Sequence, residues 1–69
     1  MILITKTNVY INMPNITTLG ITEDGLNLIV NMQPIVFDTK EECLEIFNKI
    51  VNYLTNVSMH GVEDLREND

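Results

Sequence analysis

The residues whose types could do chemistry are few: Cys43, His60 and the carboxylates Glu41, Glu42 and Glu45. A nucleophilic cysteine needs a lowered pKa and a base within reach. Nothing near Cys43 in sequence supplies a base, and it falls on a helix face expected to be buried, where a small hydrophobe needs no partner. Its place in the first turns of that helix favours the thiolate, but burial opposes it. His60 is the sole histidine, and scattered carboxylates around one imidazole are a poor set for zinc, which takes three or four ligands. Glu41 and Glu45 share a helix face as an i,i+4 pair. Acid–base work would require their environments to push their pKa values apart, and both belong to the solvated side. Glu45 with Lys49 reads as a modest helix-stabilising pair. The expectation is therefore no catalytic residue, no metal site and no cofactor.

Charge narrows the partners. The 69 residues carry a formal charge of −6, with only four basic side chains: Lys6, Lys40, Lys49 and Arg66. Affinity for phosphate backbones and anionic lipid comes from lysine and arginine, so direct contact with nucleic acid or a membrane surface is not expected. The acids cluster before and after the helix. Asp38, Glu41, Glu42 and Glu45 surround Lys40, and Glu63, Asp64, Glu67 and Asp69 surround Arg66. Such a surface suits a basic partner and can imitate a nucleic-acid backbone in a Lys/Arg-lined groove. The plain alternative is solubility. The opening Met1–Thr5 lacks a basic region and is far too short to cross a bilayer, so a cytoplasmic setting with a reduced cysteine is expected.

The elements that must position these side chains begin with short strands. Residues 1 to 5 are β-prone, Lys6-Thr7-Asn8 supplies turn chemistry, and Val9 to Met13 alternates, with Val9, Ile11 and Met13 on one side. Pro14-Asn15 interrupts the pattern. A third strand is expected over about 16 to 22, and Asp24-Gly25 predicts a tight hairpin because glycine accepts positive φ. Residues 26 to 31 form the partner strand. Gln33-Pro34 is expected to break it, and residues 35 to 37 to make a last short strand.

The segment from Asp38 to Val57 is an amphipathic helix. Thr39 followed three residues later by Glu42 is a capping box, and the carboxylates of the first turns complement the positive end of the helix dipole. Cys43, Leu44, Phe47, Ile50, Val51 and Leu54 fill one sector of the wheel, and Ile46, Tyr53 and Val57 widen it to about half the circumference. That is more than one helix on a small sheet buries by itself. On the strands, Leu3, Tyr10, Ile29 and Val36 fall opposite the residues assigned to the core. An apolar face left uncovered marks an interface. After Val57 the pattern dissolves, with Ser58 to Gly61 a connector and Val62 and Leu65 anchors at helical spacing in an acidic tail.

The layout Ile2-Leu-Ile-Thr5, Val9-Tyr-Ile-Asn12, hairpin and capped helix resembles small flagellar-operon proteins of the FlbD type over residues 2 to about 54. The glycine those carry after the position of Asn8 is missing, Phe37-Asp38-Thr39 departs from their approach to the helix, and neither function nor sites are carried over.

The fold expected is α+β: a small antiparallel β-meander of four to five strands followed by one long helix on one sheet face. Residues 1–57 form the domain and 58–69 an acidic tail, flexible or one short helical turn. The function expected is a non-catalytic interaction or regulatory protein, a homodimer or higher homo-oligomer, acting through an acidic and partly apolar surface. Its form would be a phage- or mobile-element-type inhibitor of a basic, nucleic-acid-binding protein, and the Asn- and Ile-rich usage fits an AT-rich bacterial or phage genome. The contact residues are Tyr10, Ile29 and Val36 on the sheet, Ile46 and Tyr53 on the helix flank, and the acids Glu41, Glu42, Glu45, Glu63 and Asp64. The alternative is a homo-oligomeric protein that sequesters a small ligand in a pocket between protomers, lined by apolar side chains.

Overall fold

A computed structural model describes residues 1–56 and 61–66. Val57, the Ser58–His60 connector with its histidine, and the tail acids Glu67 and Asp69 lie outside the described residues. Strands β1 (Ile2–Ile4), β2 (Tyr10–Asn12), β3 (Leu19–Ile21), β4 (Asn27–Val30) and β5 (Gln33–Val36) precede helix α1 (Lys40–Thr55), and β6 (Val62–Asp64) follows it. The architecture is α+β, a meander of short antiparallel strands with one helix packed against them. The strands divide into a pair of three-stranded sheets: sheet A in the order β2-β1-β6 and sheet B in the order β3-β4-β5. A one-turn 3-10 segment, Met13–Asn15, separates them, because Pro14 supplies no amide donor to continue the β2 ladder.

Turn chemistry fixes each hairpin. Between β1 and β2 the Asn8 amide donates to Thr5 O (3.0 Å) and the Thr5 amide to Val9 O (2.9 Å), with Asn8 at φ +67°. Asparagine tolerates that left-handed geometry better than most residues. Asp24-Gly25 forms the expected β3–β4 turn, with Gly25 at φ +74° donating to Thr22 O. The β4–β5 hairpin closes through Asn31 and Met32, both at positive φ. This two-residue turn lets β5 begin at Gln33, so Gln33-Pro34 extends the ladder where a break was expected. Pro34 is accommodated because β5 is an edge strand: the Phe37 amide donates to Leu26 O, and the alternation of the ladder turns the Pro34 nitrogen outward.

Sheet A holds the main departure from expectation. Val62–Asp64 is neither frayed nor helical: it pairs in parallel with β1, Ile2 opposite Val62 and Ile4 opposite Asp64. The connection through α1 makes that parallel register available, and Leu65 adds an apolar contact to the core. Leu3, expected on an uncovered face, is fully buried in that core with Ile11, Met13, Leu28, Phe37, Cys43, Ile46 and Ile50.

The helix is also rolled relative to the expectation. Cys43, Ile46 and Ile50 are its buried residues, whereas Leu44, Val51 and Leu54, expected in the core, are 51%, 38% and 43% exposed. The buried face packs on β4 and on the Met13–Asn15 segment, and at its flank the Lys49 ammonium pairs with the Glu63 carboxylate of β6. At the start of α1 the Glu42 amide donates to Thr39 Oγ1 (3.1 Å). The capping box is half formed, since Glu42 Oε1 is buried with no hydrogen-bond partner.

Candidate interaction surface

The acids sort by what they touch. Glu63 is neutralised by Lys49, and Asp64 by Arg66 through Nη2–Oδ2 and Nε–Oδ1 contacts of 2.7 and 2.9 Å. Hydrogen bonds from the Arg66 side chain and amide hold the Asp64 carboxyl down at about 2. The tail acids Glu63 and Asp64 are thus internal fasteners of β6 rather than a second open patch. At the other end the charges stay open. Glu41 and Glu45 are exposed and Glu42 is half-buried.

The β3–β4 turn joins them. Lys40 Cγ lies 3.4 Å from where a Cβ at Gly25 would stand, so the turn rests on the first residue of α1. Glu23 and Asp24 thereby add to Asp38, Glu41, Glu42 and Glu45, with Lys40 among them. Hydrogen bonds from the Thr22 hydroxyl and the Leu26 amide hold the Asp24 carboxyl below its ordinary range. The addition of Glu23 and Asp24 to this end was not legible in sequence, because it depends on a contact between segments fifteen residues apart, Gly25 and Lys40.

The apolar residues expected at the surface do not converge. Tyr10 and Val36 are 62% and 70% exposed, but they belong to different sheets. Tyr10 shares the outer side of sheet A with Ile4 and Asp64, and its ring lies 5.8 Å from the Arg66 guanidinium, whose Nη1 donates to its hydroxyl (3.3 Å). Ile29 is half-buried on the outer side of sheet B, in phase with Val36. Tyr53 is half-buried against the core. Ile46 is a correction: it is 1% exposed and offers no surface, because the roll of α1 carries it inward.

What sequence reasoning placed in the core is the more coherent apolar surface. Leu44, Phe47, Val51 and Leu54 follow one another by three, four and three residues, which is the seam spacing of paired helices. At about 100° per residue this stripe stands nearly opposite Lys49, hence on the flank of α1 turned away from β6.

Chemistry at Cys43 is disfavoured. The side chain is fully buried, and burial, with the Asp24 and Glu42 carboxylates nearby, pushes the thiol pKa up. Among the described residues no group of three or more His, Cys, Asp or Glu stands close enough to hold a metal ion. No described helix is long and apolar enough to cross a membrane. Comparison of the chain with protein-family models, with curated proteins and with solved structures found no match.

Proposed function

We propose that this is a non-catalytic interaction protein whose acidic end docks on a basic surface of a partner protein. The observation that carries this reading is the convergence of Glu23, Asp24, Asp38, Glu41, Glu42 and Glu45 at one end of the molecule, built from sequence-distant segments held by the Gly25–Lys40 contact. An array of carboxylates, exposed at Glu23, Asp24, Asp38, Glu41 and Glu45 and half-buried at Glu42, creates a potential that steers and orients a cationic partner. The partner class that fits is a Lys/Arg-lined groove of a nucleic-acid-binding protein, and occupation of that groove makes the protein an inhibitor of the phage or mobile-element kind.

The test compares the wild type with a Glu23→Gln, Glu41→Gln, Glu45→Gln variant as baits for bacterial nucleic-acid-binding proteins. The reading expects a protein retained by the wild type, lost by the variant, displaced by added DNA, and released near 1 M salt, where the screening length falls to about 3 Å. Retention that ignores both the neutralised carboxylates and the salt would contradict it.

A further inference from the structure

We infer that β6 is a strap held on the edge of β1 by charge rather than by packing, and that it opens as a unit while the β1–β2 hairpin, sheet B and α1 stay folded. This inference does not depend on the acidic-end reading. The alternation of β6 is inverted for a strand beside a core. Glu63 stands opposite Leu3, which is fully buried, so a carboxylate takes the core-side position, while Val62 turns outward and is 62% exposed. A strand fastened by packing places its apolar residues on the core side. Here the apolar contact with the core comes from Leu65, half-buried and just beyond the strand.

Charge takes the place of packing on both faces. On the core side the Lys49 ammonium of α1 pairs with the Glu63 carboxylate, at side chains 30% and 32% exposed. On the outer side Arg66 binds Asp64 and reaches across β1, donating from Nη1 to Asn8 Oδ1 and to the Tyr10 hydroxyl, each at 3.3 Å. Partly exposed pairs of this kind are weak and are screened by salt. The main-chain fastenings include the Ile2 amide to Gly61 O and the Leu65 amide to Ile4 O, both 2.9 Å.

The other edge of β1 is built differently. The Thr5 amide donates to Val9 O (2.9 Å), Thr5 is fully buried, and a local turn closes the hairpin. Leu3 and Ile11 face each other within the core. One edge of β1 is thus set by sequence-local contacts and burial, the other by a sequence-distant strand and charge. Local opening follows the second. It bares the Ile2 amide and the Ile4 carbonyl, groups with which an added strand pairs, so the strap also keeps that edge from pairing with other chains.

Amide exchange of the full chain tests this, because the two edges of β1 report separately. In the wild type the Leu65 and Ile2 amides should be less protected than the Thr5 amide. Lys49→Gln removes the core-side pair and should lower Leu65 protection relative to Thr5 by about two- to fivefold, the worth of one such pair. Raising salt towards about 1 M should lower the same ratio in the wild type, with no substitution that could disturb the helix. Equal protection of Leu65 and Thr5 in the wild type would overturn the proposal, since β6 would then open only with the whole domain. A ratio that neither Lys49→Gln nor salt moves would likewise overturn it, since packing would then hold the strap.

Discussion

Single residues set the turns, the cap and the tail fastening, and their effects are separable. Met32 occupies a left-handed position (φ +67°) at the β4–β5 turn with its side chain 78% exposed, so it contributes strain and no packing. Met32→Gly should stabilise the fold by about 1 kcal/mol, visible as a melting temperature raised by about 4–8 °C. Asn31 beside it is held by its own side chain: Oδ1 accepts from the Thr17 amide (2.7 Å) and hydroxyl (3.0 Å), and Nδ2 donates to Asn15 O (2.9 Å). This hairpin was illegible in sequence because Asn-Met lacks the glycine that marks such turns, and its anchoring comes from a loop thirteen to sixteen residues away. Asp24-Gly25 was legible for the opposite reason: its geometry is local. Thr39→Ala should cost about 1 kcal/mol in urea unfolding, the worth of one cap. The Asp64–Arg66 pair fixes a pH dependence. A carboxyl held at about 2 in the folded chain, against about 3.9 unfolded, contributes stability above pH 4 that is lost as pH falls towards 2. Amide exchange of Leu65 and Arg66 should accelerate across that window, and Asp64→Asn should remove the dependence.

At the scale of elements, β6 is the addition that most departs from a plain meander-plus-helix. The helix itself was readable from Thr39, the first-turn acids and the 3.6-residue period, but its roll was not. Periodicity gives the width of an apolar stripe, not which part of it faces inward, when that stripe covers about half the wheel. In the folded chain the helix packs on β4 and the Met13–Asn15 segment with Ile46 in the core, and Lys49 meets Glu63 of β6 at its edge. A parallel strand of three residues has no local signature, and the acidic tail conceals it. Leu65→Ala should therefore destabilise the whole domain by about 1–2 kcal/mol, less than a fully buried leucine because the side chain is half-buried, with β1 amides losing protection first. Loss confined to residues 62–66 with β1 unchanged would show that β6 is a passive appendage.

As a whole the molecule is a slab, 34 × 32 × 16 Å, too thin to bury every apolar side chain it carries. Small domains hide a limited fraction of their surface, and this one leaves a coherent leucine-rich flank on α1 and a carboxylate-rich end beside the β3–β4 turn. Docking of the acidic end on a basic partner, as proposed, would weaken as salt rises and screens the exposed charges. The surplus of apolar surface was legible in the composition of the helix; the residues that carry it were not, because they depend on how α1 is rolled on β4 and the Met13–Asn15 segment. Retention of a basic nucleic-acid-binding protein by the immobilised wild-type chain, followed from low to high salt, tests the acidic-end docking most directly. Retention at low salt and release as salt approaches about 1 M is the predicted result. Retention unchanged across that range would contradict it.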